Sequence, residues 1–217
     1  MSSLNNLQES IDSLLPQTQC EKCGYKGCQP YAQAIAKGEA DINLCHPGGV
    51  PTMKALAKLM NTVEKPLPVE AEHAQTATIA VIRDEHCIGC TKCIKVCPVD
   101  AVIGATKQLH GIIATDCTGC ELCLPVCPVD CIDMIPAPDS NVPTWVINVE
   151  EPRLEKAAHS RALFNRRQSR LQAENEAKQQ KDNTIAHNTD YASDIAAAMA
   201  RVKRKKQQNQ LQADYEL

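Results

Sequence analysis

The stretches Arg83–Val102, RDEHCIGCTKCIKVCPVDAV, and Ile113–Ile132, IATDCTGCELCLPVCPVDCI, repeat one another at an offset of 30 residues. Each carries Cys-x2-Cys-x2-Cys-x3-Cys-Pro, with Cys87, Cys90, Cys93 and Cys97 in the first and Cys117, Cys120, Cys123 and Cys127 in the second. Three thiolates so closely spaced wrap a body larger than one ion, which is the ligand spacing of a 4Fe-4S cubane. Structural zinc needs only four tetrahedral corners and pairs Cys-x2-Cys elements across a longer stretch, so zinc and disulfides stand as the alternatives. The repeat predicts two pseudo-symmetric halves. In each, a short strand-like run precedes the cysteine loop, and the proline after the fourth cysteine opens a short helix.

This is the run of bacterial two-cluster ferredoxins, in which the fourth cysteine of each run ligates the other cluster. That rule groups Cys87, Cys90, Cys93 and Cys127 around one 4Fe-4S cluster and Cys117, Cys120, Cys123 and Cys97 around another. The crossing ties the halves together, so losing Cys97 or Cys127 is expected to damage both a cluster and the packing of the opposite half. Cys131 stands in the place of Ala101 in the repeat and reads as a small, inert core residue. Residues 79–107 carry four basic and three acidic groups, whereas residues 108–136 carry only Asp116, Glu121, Asp130 and Asp133. Negative charge disfavours electron uptake, which predicts the lower potential for the Cys117/Cys120/Cys123 cluster.

A third set lies upstream. Cys20, Cys23, Cys28 and Cys45 are spaced Cys-x2-Cys-x4-Cys-x16-Cys, a loop plus one returning ligand. The spacing suits a third 4Fe-4S cluster, with zinc as the alternative. Gly24 and Gly27 are expected to let backbone amides approach that cluster. Leu4, Leu7, Ile11 and Leu14 recur at helical period until Pro16, which predicts a helix over 3–15. Further helices are expected over 29–37, closed by Gly38, and over 51–61, opened by Pro51. His46, beside Cys45, reads as a loop residue. Residues 62–78, with Pro66 and Pro68 and no sustained period, read as a linker.

Thirteen cysteines in 217 residues are dense for a chain with no sign of export. Met1–Gln17 lacks a basic start and a continuous apolar core, so it reads as neither a signal peptide nor a membrane anchor. Aromatic residues make up only 3% of the chain, so apolar burial alone gives each half a thin core and metal binding is expected to supply folding free energy. Residues 151–217 hold 13 Lys+Arg against 9 Asp+Glu, leaving 10 against 17 for the cysteine-bearing residues 1–150. That asymmetry suggests an acidic redox body that meets basic partner faces.

From Pro152 onward the chain is rich in Ala, Gln, Arg and Lys, which predicts two loosely held helices interrupted at Asp182-Asn-Thr and His187-Asn-Thr. In the second, Tyr191, Ile195, Met199 and Val202 form a stripe at helical spacing. The basic run Arg201–Lys206 reads first as a solvated helix end that complements the dipole, and second as a nucleic-acid contact.

No Gly-x-Gly-x-x-Gly loop and no P-loop occurs, so no catalytic residue is assigned and electron donor and acceptor must be other proteins. The block Cys20-Glu-Lys-Cys-Gly-Tyr-Lys-Gly-Cys-Gln-Pro-Tyr-Ala-Gln-Ala-Ile-Ala36, then Cys45-His-Pro-Gly-Gly, then the two-cluster repeat, closely resembles the B-type subunit of Rnf-type (Rsx-type) electron transport complexes over about residues 15–136. Members of that family usually begin with a membrane-spanning helix, for which Met1–Gln17 is too short and polar. The resemblance implies three 4Fe-4S clusters passing electrons inside an ion-translocating membrane complex that links NADH and ferredoxin. It also implies redox protein partners, either other subunits of such a complex or ferredoxin and flavoprotein donors and acceptors. The expected location is cytoplasmic, at the inner face of the cell membrane through those partners.

The expected fold class is α+β. It comprises a small helical 4Fe-4S domain (1–61), the linker (62–78), a two-cluster ferredoxin-like domain (79–140) and a helical or partly disordered basic tail (141–217). A redox-sensing or nucleic-acid-associated iron-sulfur module using the basic tail is the runner-up.

Overall fold

The computed structural model describes residues 2–69, 77–137, 150–187 and 190–213. Part of the expected linker, at 70–76, and the start of the expected tail, at 141–149, lie outside the described residues. Contacts divide the chain into two units, Met1–Gln168 and Ser169–Leu217.

The first unit opens with three helices, α1 (Ser2–Leu14), α2 (Cys28–Ala36) and α3 (Gly49–Met60), close to the positions that the periodicity predicts. After α2 the N–H groups of Gly38 and Glu39 donate to the carbonyls of Ile35 and Ala34, which stops the helix where Gly38 predicts. Asn61, in the left-handed conformation, closes α3. Ile11, Leu15, Tyr31, Ile35 and Leu56 are almost completely buried at the centre of this bundle.

A small β-layer follows. β1 (Thr78–Ile82) pairs antiparallel with β4 (Ile132–Pro136), with Thr78 opposite Pro136 and Ile82 opposite Ile132. β2 (Val102–Ile103) pairs antiparallel with β3 (Gly111–Ile112). Each pair takes one strand from each half of the repeat, so neither half completes its sheet alone.

The short helices differ from expectation. α4 (Lys92–Val96) precedes the fourth cysteine of the first run and carries Cys93, while Pro98 and Pro128 stand in turns. Asp100 and Asp130 adopt left-handed φ values of 53° and 48°, which reverses the chain two residues after each proline, before a helix can start. The second run has turns where the first has α4. Pro125 occupies the place of Lys95, whose N–H bonds the Thr91 carbonyl, and a proline has no such donor.

The tail also departs from its reading. α5 (Glu150–His187) runs straight through Asp182-Asn-Thr, where the Thr184 hydroxyl donates to the Gln180 carbonyl at 2.8 Å. The second expected break lies between α5 and α6 (Asp190–Ala213), at residues 188 and 189, outside those described. The start of α5 is not loosely held. Ala157, Ser160 and Leu163 are buried, with Leu163 inside the core that also holds Ala80, Val99 and Ile132. Arg161 pairs with Asp12 of α1, a carboxylate only 7% exposed. His159 Nε2 lies 3.0 Å from Asp116, and Arg167 donates to the Lys95 carbonyl at 2.6 Å.

In the second unit, Ile195, Met199 and Val202 of the predicted stripe are exposed, and Arg201–Lys206 are exposed as well; the side chain of Tyr191 is not described. Among the described residues, no helix is long and apolar enough to cross a membrane.

Replacing Leu163 with alanine removes a buried side chain that clamps α5 to the β-layer, with an expected loss of about 2–5 kcal/mol. Anaerobic urea denaturation checks this, since a midpoint equal to that of the native chain would mean that α5 contributes nothing to holding the first unit.

Candidate metal centres

The twelve cysteines gather around three cavities. Cys20, Cys23, Cys28 and Cys45 line the first. Cys87, Cys90, Cys93 and Cys127 line the second. Cys117, Cys120, Cys123 and Cys97 line the third. Cys97 thus lines the cavity of the second run and Cys127 that of the first. Among the described residues, no three His, Cys, Asp or Glu side chains converge on a single ion position. Cysteines line each cavity, four in the first and third and five, with Cys131, in the second, and soft sulfur is the donor that an iron-sulfur cluster takes.

Backbone N–H groups are aimed at several sulfurs. The N–H of Ala101 donates to Cys97 Sγ at 3.2 Å, and its repeat equivalent in Cys131 donates to Cys127 Sγ at 3.4 Å. Both follow from the left-handed Asp100 and Asp130, which turn the next N–H back onto the sulfur of the preceding Cys-Pro-Val-Asp turn. The Ala80 N–H donates to Cys117 Sγ at 3.4 Å. At Cys127 such backbone donors favour the thiolate over the thiol.

In the N-terminal cavity the glycines act differently from the sequence reading. The N–H groups of Gly24 and Gly27 donate to the carbonyls of Glu21 and Tyr25, so neither is directed at the cavity. Gly27 is required for another reason. Its φ is +108°, and a Cβ there would stand 2.7 Å from Gln19 Oε1. That oxygen accepts the N–H of Cys28 at 2.8 Å, while Gln19 Nε2 donates to Gln17 and Gln17 Nε2 donates to Asp12. A buried amide chain thus runs from α1 to the third cysteine. Tyr31 also lines this cavity; its hydroxyl donates to the Asp41 carbonyl and accepts the N–H of Leu44, bracing the segment that returns Cys45. His46 occupies a turn on the cavity rim, as a loop residue should.

Cys131 is buried, as a core residue would be, but it also stands in the wall of the second cavity with its Sγ 3.5 Å from Cys127 Sγ. Burial pushes its thiol up to about 12, and the neighbouring Cys127 and Cys87 add to the effect. Burial also raises the Cys127 thiol, but N–H groups of Cys131, Val129 and Asp130 outweigh it and leave that group lowered. The two thiols are thus pushed in opposite directions across a 3.5 Å contact in which either sulfur can donate.

The acidic groups of the second half are less bare than the sequence suggests. Glu121 pairs with Lys22 at 2.8 Å, Asp133 with Arg83 at 2.6 Å, and Asp116 with His159. Two of the four carboxylates behind the expected potential order therefore have a cationic partner. Sequence reasoning missed Gln17, Gln19, Tyr31 and His110. Gln17 and Gln19 lie outside the quoted motif, Tyr31 lies inside it among ordinary helix residues, and His110 sits beyond the cysteine runs, in the loop that joins the halves.

The architecture and the cysteine sets define an iron-sulfur protein of the dicluster kind, extended by an N-terminal cysteine loop. Residues 80–134 match the 4Fe-4S dicluster domain model, and residues 15–47 match the model described as putative Fe-S cluster. The chain is 56% identical over 154 residues to the B-type subunit of the ion-translocating oxidoreductase complex of Hahella chejuensis, covering 71% of this chain and 77% of that protein. It is 53% identical over 152 residues to the same component of the complex of Azoarcus sp. (strain BH72), covering 70% and 82%. Against its counterpart in Shewanella sp. (strain ANA-3) the identity is 55% over 141 residues, covering 65% and 72%. The chain belongs to the family of B-type subunits of ion-translocating oxidoreductase complexes. No solved structure matches it.

Loading of these cavities should release protons. Burial pushes Cys28 and Cys123 up to about 12 and Cys120 up to about 11, and holds Cys45 well above the ordinary thiol value. At neutral pH these groups are thiols, whereas a metal takes the thiolate, so each ligation expels a proton and affinity rises with pH. Competition of the metal-free chain with a chelator for Cd²⁺ should show apparent affinity climbing between about pH 6 and pH 9. A pH-independent affinity would contradict the thiol ligand sets.

Proposed function

We propose that this chain carries single electrons through three 4Fe-4S clusters as the B-type subunit of an ion-translocating oxidoreductase complex. Cys20, Cys23, Cys28 and Cys45 hold the first cluster, Cys87, Cys90, Cys93 and Cys127 the second, and Cys117, Cys120, Cys123 and Cys97 the third. The observation that carries this reading is the gathering of each set, crossing included, around one cavity of its own. Such clusters supply reversible one-electron chemistry when bound. The work of the chain itself is to offer thiolates, exclude water from the sulfurs and fix the order of the sites.

That order is supported by two contacts. Lys22, between Cys20 and Cys23, pairs with Glu121, between Cys120 and Cys123. The Thr118 hydroxyl donates to the Thr18 carbonyl at 3.0 Å. The N-terminal cysteine loop is thus seated on the loop of the second run, which makes the Cys117/Cys120/Cys123/Cys97 site the middle one and leaves the Cys87/Cys90/Cys93/Cys127 site at the far end. The ion pair is exposed and adds at most about 1 kcal/mol, so it fixes register more than it stabilises. Donor and acceptor are redox proteins, among them the other subunits of the complex. The chain lies on the cytoplasmic side and meets the membrane through those partners.

Anaerobic preparations should contain about twelve irons per chain. In EPR-monitored redox titrations, Cys127→Ser should remove the signal that Cys87→Ser removes and leave the one lost in Cys117→Ser. Loss of the Cys117→Ser signal instead would contradict the crossed assignment.

A further inference from the structure

His110 lies outside every cysteine run, yet it stands in the wall of the far-end cavity with Cys87, Cys90, Cys93 and Cys127. It is 4% exposed, and its Nδ1 is 3.2 Å from Cys93 Sγ. Among the described residues, its other ring nitrogen, Nε2, is buried without a hydrogen-bond partner. The sulfur contact is therefore the polar interaction that accounts for an imidazole at this place.

The surrounding chain is shaped to hold it. β2 ends at Ile103, Gly104 follows with φ +142°, and the loop returns through His110 into β3. A Cβ on Gly104 would stand 2.5 Å from His110 Cδ2, so a side chain there would displace the ring. The loop is tied to the ligand loop, because the Lys107 N–H donates to the Gly89 carbonyl at 2.9 Å, between Cys87 and Cys90.

The internal repeat supplies a control within the same molecule. At the offset of 30 residues the counterpart of His110 is Ala80, which is 2% exposed and lines the third cavity. Ala80 offers Cys117 Sγ only its backbone N–H. An imidazole thus stands beside a cysteine sulfur at one site of the pseudo-symmetric pair, where the equivalent position of the other carries only a methyl group.

We propose that His110 donates an Nδ1–H···S hydrogen bond to Cys93 and so raises the reduction potential of the Cys87/Cys90/Cys93/Cys127 cluster relative to its pseudo-symmetric neighbour. A ligating thiolate has only lone pairs to offer, so Nδ1 must carry the hydrogen. Reduction adds negative charge that spreads onto the sulfurs, and a donor already aimed at one of them stabilises the reduced form more than the oxidised form. His110 acts through Cys93 and is a positioning residue that sets the electron affinity at the far end of the chain. This inference rests on the relay reading above.

The test is a potentiometric EPR titration of the native chain, His110→Leu and His110→Asn, with the relevant signal assigned by its loss in Cys90→Ser. Leucine keeps bulk and removes the donor, whereas the asparagine amide nitrogen stands near the former Nδ1. His110→Leu should make that one cluster about tenfold harder to reduce, about 59 mV for a one-electron couple, with the other two midpoints unmoved. His110→Asn should recover most of the shift. An unmoved midpoint in His110→Leu, an equal shift in both variants, or a common shift of all three signals would overturn the proposal. If His110→Leu assembles no cluster, pulsed EPR of native protein carrying 15N-histidine decides. A nitrogen coupling on the reduced far-end cluster that disappears in His110→Asn supports the bond, and its absence from the native protein refutes it. A chain without iron would sink the relay and this inference together, a result distinct from iron present with an unmoved midpoint.

Discussion

Cys97 stands in the wall of the cavity built by the second run, and Cys127 in the wall of the cavity built by the first. This exchange constrains everything around it. The strand before the first run must pair with the strand after the second, and does so as β1 with β4, while β2 and β3 close the middle. The left-handed Asp100 and Asp130 then turn a backbone N–H onto each exchanged sulfur. Local turn chemistry, strand pairing and sulfur placement agree, and that agreement lets a domain with so few aromatic side chains adopt one arrangement.

The N-terminal bundle and the β-layer are joined by interactions of unequal worth. Lys22 with Glu121 is exposed and screened. Arg161 with Asp12 is mostly buried, and breaking one partner there would leave a charge without compensation. Because Arg161 lies on the same helix as Leu163, α5 grips the helical bundle with a charge and the β-layer with an apolar side chain. The first unit therefore extends to Gln168, well past the last cysteine.

The cysteine spacing makes the sites legible, because a fixed number of residues between thiols limits what the loop can enclose. The repeat at an offset of 30 makes the two-fold exchange legible too. Helices α1 to α3 follow from ordinary apolar period and from Gly38. Less legible is what depends on long-range contact. The buried face of α5, Ala157, Ser160 and Leu163, is set among charged residues and gives a weak apolar pattern. Gln17 and Gln19 look like surface residues until the fold buries both of them. His110 carries no motif, and its meaning appears only when the β2–β3 loop brings it beside Cys93. The short helices escape the sequence because a proline suits a helix start in general, whereas here a left-handed aspartate two residues later turns the chain away.

The proposal that each cysteine-lined cavity holds a whole inorganic cubane is tested most directly by native mass spectrometry of chain prepared without oxygen. The account predicts a dominant species heavier than the polypeptide by three Fe4S4 units. A species carrying single zinc ions, or a mass equal to the bare polypeptide with disulfides, would contradict it.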